Sequence, residues 1–283
     1  MSFQPLPFPT QAALSLIRLA LSEDIGSGDV TAALTARRHT TAYLVCKGNG
    51  VICGLPLIKL IYQQIDPRVR VTYHAQEGKA VKPRQRLAHI TGPAQSLLTG
   101  ERTVLNLLCA LSGMATLTRR YVDTVRGTVA KIYDTRKTQP GLRQLSKYAV
   151  RTGGGFNHRM GLYDMVLIKD NHLTVKGITE AVQKAKLRYP DLPVEVEVEN
   201  LVQLKEALST KADIIMLDNM TLSDMKKAVV LTKAIGGRTV RLEASGGITL
   251  RNLREVAKTG VHRIAIGALT HSYSILDISM DFK

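Results

Sequence analysis

The chain has 283 residues, 45% hydrophobic and 22% charged, which excludes a disordered or fibrous polymer and allows one large domain or two modest ones. Lys and Arg outnumber Asp and Glu by 39 to 23, a formal net charge of +16 that points to an anionic partner: nucleic acid, a phosphorylated metabolite or an acidic small molecule. No apolar run reaches the ~18 residues a transmembrane helix needs, and the start of the chain, with no basic region and an apolar stretch broken by Arg18, makes a poor signal peptide.

The first hundred residues have one rhythm. Residues 14–21 read as a short amphipathic helix, 23–31 as a Gly/Asp-rich loop, and 55–65 as a second helix. Residues 41–46, 51–53, 69–74 and 87–91 are short β-rich runs bounded by Gly, Pro or charges, giving an α+β pattern. Cys46, Cys53 and Cys109 form neither a disulfide framework nor a Cys-x-x-Cys pair, so a reducing cytoplasm is the expected setting.

From residue 101 the rhythm changes. A long helix is expected over 101–126. Apolar runs at 130–133, 165–168, 194–198, 214–217, 240–244 and 263–266 then alternate with helical patterns at 142–150, 174–188, 201–208, 222–235 and 250–259. Repeated strand–helix units with buried, non-alternating strands imply a parallel sheet. Six or seven such units without a Gly-x-Gly-x-x-Gly fingerprint favour an α/β barrel over a doubly wound sheet.

The residues after each expected strand are polar or ionisable: Asp134 to Thr138, Lys169 to His172, Glu199-Asn200, Asp218-Asn219, Ser245 to Gly247, and Gly267 to His271. In an α/β barrel these tips form the active-site face. Glu195, Glu197 and Glu199 alternate with valines, so period 2 puts all three carboxylates on one side of a strand, facing the interior. Buried there, they need partners: Arg136, Lys137 and Lys169, or a magnesium ion. Ser245 to Thr249 follows a strand and is expected to open a helix whose amides accept an anion, with residues 267–270 as a second small-residue turn. The glycine-rich segment 151–161 carries Arg151, His158 and Arg159, which suits closure over an anionic ligand better than a linker. His158 and His172 lack the spacing of a zinc pair.

The stretch DTRKTQPGLRQLSKYAVRTGGGFNHRMGLYDMVLIKDNH, residues 134–172, resembles the signature of the quinolinate phosphoribosyltransferase family. EDIGSGDVTA, ERTVLNLL, EVEVEN, MLDNM, EASGGI and GALTHS agree with it in order and spacing, and Thr152 departs from it where a Cys is frequent. The resemblance covers nearly the whole chain. It implies an α/β fold, with an N-terminal α/β sandwich domain over residues 1–110 and an incomplete, about seven-stranded α/β barrel over residues 111–271. The tail, residues 272–283, returns to the sandwich. It implies at least a homodimer, with the active site shared across the interface and hexamers open, and Arg102 donated by the neighbour.

Arg136, His158, Arg159 and Lys169 match the pocket for the pyridine dicarboxylate. Lys137, Glu197, Asp218, Ser245, Gly246, Gly247, Gly267 and His271 match positions around phosphoribosyl pyrophosphate and its Mg2+, with Glu197 and Asp218 as the metal ligands. The implied catalytic residues are Lys137, Glu197 and Asp218. A paralogue acting on another base, such as nicotinate, is the nearest rival; the cationic set favours a dianion. The chain carries no helix-turn-helix, zinc-finger or RNA-binding pattern, and with 5% aromatic residues and no Trp it has little to stack on bases, so no nucleic-acid partner is expected.

Overall fold

A computed structural model describes residues 7–34, 38–169, 171, 177–234 and 240–283. In chain order the elements begin with α1 (Thr10–Ile25), a 3-10 turn (Ala32–Leu34), β1 (His39–Cys46), β2 (Gly50–Val51), α2 (Leu55–Ile65), β3 (Arg70–Tyr73), β4 (Ala80–Val81), β5 (Arg86–Pro93) and α3 (Ala94–Thr124). They continue through β6 (Lys131–Tyr133), α4 (Arg143–Thr152), β7 (Val166–Ile168), α5 (Ile178–Arg188), β8 (Val194–Val198), α6 (Leu201–Ser209) and β9 (Ile214–Asp218). The last are α7 (Leu222–Ala234), β10 (Arg241–Ser245), α8 (Leu253–Lys258), β11 (Arg263–Ala265), α9 (Ala268–His271) and β12 (Ile278–Phe282). Among the described residues no helix is long and apolar enough to cross a membrane.

The chain forms two compact units. The first gathers residues up to Arg119, Thr138–Gly154 and Ala268–Lys283; the second gathers Arg120–Lys137 and Gly155–Gly267. In the first, an antiparallel sheet of order β12-β1-β5-β3 packs its apolar face on helices. Alternate residues of β1 (Ala42, Leu44, Cys46) are fully buried, as the pleat requires. The tail strand β12 pairs with β1, Leu44 opposite Met280. The Glu77 carboxylate accepts from the amides of Gly54 and Leu55 at 2.6 and 2.9 Å, satisfying donors that the first turn of α2 leaves open.

In the second unit six parallel strands run in the order β6-β11-β10-β9-β8-β7. A bridge between Tyr133 and Phe156 adds a short seventh rung beside β6. The sheet is therefore the incomplete α/β barrel of the sequence reading. Val194, Val196 and Val198 on β8 are fully buried, and α5 and α6 pack on that strand. Asn200 then ends β8 and caps α6, its side chain accepting from the amides of Val202 and Gln203 at 3.0 Å each. This cap fixes where β8 stops, and so where Glu197 stands near its tip.

Three expectations are corrected. The long helix starts at Ala94 rather than residue 101. The turn after β10 does not open a helix directly: α8 begins at Leu253. Between them the Asn252 side chain closes a loop, accepting from Thr249 N at 2.8 Å and donating to Gly247 O at 3.1 Å. Glu199 lies beyond β8 and is exposed, so only Glu195 and Glu197 face inward. Asp170, His172 and the first residues of the helix expected from 174 lie outside the described residues.

Candidate active site

At the carboxyl ends of the parallel strands lies a cavity of about 580 Å3. Arg136 and Lys137 reach it from the segment after β6, Lys169 from the end of β7, and Glu197 from β8. Asp218 and Asn219 come from the end of β9, Ser245, Gly246 and Gly247 from the end of β10, and His158 and Arg159 from the segment beside β6. These eleven residues, all singled out from the sequence, thus meet in one hollow. Gly267 lies two residues beyond Ala265, which lines it. Arg102, exposed on α3, and His271, exposed on α9, belong to the first unit.

The cavity is cationic by construction. Arg136, Lys137, Arg159 and Lys169 stand against two carboxylates, Glu197 and Asp218. Lys169 Nζ is 2.9 Å from Glu197 Oε2. Burial, and then the neighbouring Arg136 charge, hold the Arg159 guanidinium below its ordinary pKa. Two guanidinium groups that repel each other in a half-buried hollow are relieved by an anion between them. Arg159 Nη1 also donates to Met165 O at 3.3 Å.

Part of the lining is backbone. Gly246 and Gly247 have φ of +89° and +59°, and Asn219, not a glycine, has +51°. Asn219 N donates to Ser245 O at 3.0 Å, and its side chain donates to Asp218 Oδ2 at 2.7 Å. The turn is bare of side chains at 246–247, which lets an anion approach the main chain closely.

Beneath the cavity is a buried ionisable layer that sequence reasoning only partly found. Glu195, Glu243 and Asp134 have no exposed surface; Arg263 and His158 have 5% and 8%. His158 Nε2 stands 2.8 Å from Glu195 Oε2 and 3.4 Å from Glu243 Oε1. Arg263 Nε donates to Glu243 Oε2, and the guanidinium lies 3.9 Å over the Tyr133 ring. Asp134 accepts from His158 N at 2.8 Å and from Asn157 Nδ2 at 2.5 Å. The segment 155–159 is therefore pinned to β6, and at His158 it does not have the freedom of the closing flap expected from its glycines. Glu243 and Arg263 went unremarked in the sequence, yet a signal was there. Each buried charge sits two residues before a cavity-lining residue on its own strand: Glu195 before Glu197, Glu243 before Ser245, Arg263 before Ala265.

Burial raises the Glu195 carboxyl above its usual range, and the Glu243 charge raises it further. Burial opposes a charge on His158, while the two carboxylates favour one strongly enough to push it up to about 9. Against that, the Arg159 amide donates to His158 Nδ1 at 2.8 Å, taking the lone pair a second ring proton would need. In this geometry the ring is protonated on Nε2 alone. His158, Glu195 and Glu243 bring donor atoms within 4.8 Å of one another, but Arg263 already supplies a cation to Glu243 there.

A family model described as quinolinate phosphoribosyl transferase, N-terminal domain, matches residues 29–112, and the corresponding C-terminal domain model matches residues 114–281. The nicotinate-nucleotide pyrophosphorylase [carboxylating] of Mycobacterium leprae (strain TN) is 46% identical over 276 residues, covering 95% of this chain and 97% of that protein. A probable nicotinate-nucleotide pyrophosphorylase [carboxylating] of Bacillus subtilis (strain 168) is 45% identical over 262 residues, with coverage of 92% and 89%. The solved nicotinate-nucleotide pyrophosphorylase of Francisella tularensis superposes over 100% of both chains with a TM-score of 0.94 at 39% identity.

Proposed function

The chain belongs to the quinolinate phosphoribosyltransferase family, and from that membership we propose that it transfers the phosphoribosyl group of phosphoribosyl pyrophosphate to quinolinate with loss of CO2. The products are nicotinate mononucleotide and pyrophosphate, a step of NAD biosynthesis. The observation that carries this reading is the pairing of Arg136 with Arg159 in a cavity that also holds Lys169 and faces a side-chain-free turn. Quinolinate bears two adjacent carboxylates, and planar guanidinium forks take such groups bidentately.

Departure of pyrophosphate leaves positive charge on the ribose ring. Glu197 and Asp218 stabilise it or hold the ribose hydroxyls, and Lys137 offsets charge on the leaving group. The 5′-phosphate rests on the amides at 246–247 and near 267. Once the ring nitrogen carries the ribose, loss of the 2-carboxylate as CO2 leaves a carbanion beside a cationic nitrogen, and C2 takes a proton from water to give nicotinate mononucleotide. No general base is required, so binding and orientation supply most of the rate. Two carboxylates in a hollow that takes phosphates are the donor set of a magnesium ion; Mg2+, when bound, adds charge neutralisation on the pyrophosphate.

The working unit in this reading is at least a homodimer, with Arg102 contributed to the neighbour's site. Its setting is the cytoplasm, in keeping with three free, buried cysteines. The test is product formation by the purified protein with phosphoribosyl pyrophosphate and Mg2+. Quinolinate should yield nicotinate mononucleotide and nicotinate should not; the reverse would overturn the reading.

A further inference from the structure

Resting on that reading, we propose that Glu195, with Glu243 and Arg263 behind it, is a positioning residue that aims Arg159 at the substrate through the ring of His158. None of the three lines the cavity; each acts from the layer below it.

The chain of contacts is continuous. Tyr133 carries the Arg263 guanidinium on its ring face, and Arg263 holds Glu243. Glu243 and Glu195 converge on His158 Nε2. The far nitrogen of the same ring, Nδ1, accepts the Arg159 amide. Asp134 holds the His158 amide from the other side. With carboxylate oxygens 2.8 and 3.4 Å from one ring nitrogen and a backbone donor on the other, the imidazole acts as a spacer between the barrel interior and the main chain at residue 159.

Arg159 needs such a spacer. It sits in an irregular segment, and the Arg136 charge repels it. Left to relax, its backbone would turn the guanidinium away and open the pair that a planar dicarboxylate requires. Stability alone does not account for the layer: barrel interiors are filled well by branched apolar side chains, and buried ions are seldom worth more than such a filling. The layer instead holds two like-charged groups at a spacing they would not choose.

Steady-state kinetics of Glu195→Leu and Glu195→Gln against wild type, with each substrate varied in turn, test this. Glu195→Leu removes the carboxylate 2.8 Å from His158 Nε2, and the quinolinate KM should rise about tenfold or more, since small misplacements of binding groups cost up to ~100-fold. The KM for phosphoribosyl pyrophosphate should stay within about twofold on the same reasoning. Glu195→Gln keeps an acceptor oxygen and should restore the quinolinate KM. An unmoved quinolinate KM in a folded Glu195→Leu protein, equal rises for both substrates, or no rescue by Gln would overturn the proposal.

A second readout does not depend on that variant folding or on turnover. The 15N spectrum of His158 in wild type should show the proton on Nε2 and none on Nδ1; a proton on Nδ1 would overturn the spacer role. A wild type inactive on quinolinate would sink the functional reading instead. An active wild type with an unaltered Leu variant would sink only this proposal.

Discussion

Gly246 offers a calculation that the structure nearly completes. Its φ of +89° lies in the left-handed region, where an L side chain costs about 1–3 kcal/mol. A Cβ at 246 would also collide with the Asn219 side chain: it would overlap Oδ1, and Cγ would be 2.5 Å and Nδ2 2.9 Å away. Asn219 cannot withdraw without giving up its 2.7 Å hydrogen bond to Asp218 Oδ2. At an exposed position that bond is worth about 0.5–1.5 kcal/mol. Gly246→Ala should therefore lose about 2–4 kcal/mol in all. Gly247 is the internal control: φ is +59°, but nothing lies within 4 Å of an added Cβ, so Ala should cost only about 1–2 kcal/mol there. Differential scanning calorimetry should place the main transition of Gly246→Ala clearly below that of Gly247→Ala. Because the displaced Asn219 holds Asp218, kcat/KM for phosphoribosyl pyrophosphate should fall in the 246 variant with quinolinate binding largely kept. Equal transitions, or a worse Gly247→Ala, would refute the reasoning.

Arg136→Ala and Arg159→Ala should each cost about 2–5 kcal/mol of quinolinate recognition, a fall in kcat/KM of about 30-fold or more, and unchanged kinetics in both would remove the dicarboxylate pocket. Mixing an Arg102→Ala chain with a Lys137→Ala chain should recover activity if sites are completed across subunits; verified heterodimers without activity would count against it. The side-chain hydrogen bonds of Arg68, and after them that of Ser96, hold the Asp66 carboxyl below its usual range. A depressed native pKa contributes stability above the unfolded value of about 4, and that contribution disappears as pH falls through the native value. Thermal melts of wild type and Asp66→Asn should differ most near neutrality and converge in acid; a gap that widened in acid would contradict the assignment.

Much of the fold was legible because buried parallel strands read as short apolar runs, unbroken at 214–217 and alternating with glutamates at 194–198. The site was legible because polar residues cluster at the ends of those runs. What failed has physical causes. The long helix, expected from residue 101, starts at Ala94 and passes through Gly100. A Cβ there would sit 2.6 Å from the Tyr62 ring, so the glycine serves close packing on α2. The start of α8 was misplaced because Asn252 closes a loop through side-chain hydrogen bonds that no periodicity records. Glu243 and Arg263 were passed over because neither belongs to an alternating row of carboxylates like that of β8; only the two-residue offset from a cavity-lining neighbour betrays them.

The most direct test of the whole account follows the carbon that leaves. Quinolinate labelled in its 2-carboxyl group, incubated with the purified protein, phosphoribosyl pyrophosphate and Mg2+, should release one labelled CO2 for each pyrophosphate and each nicotinate mononucleotide formed. Pyrophosphate without CO2, or CO2 released when the sugar donor is left out, would contradict it.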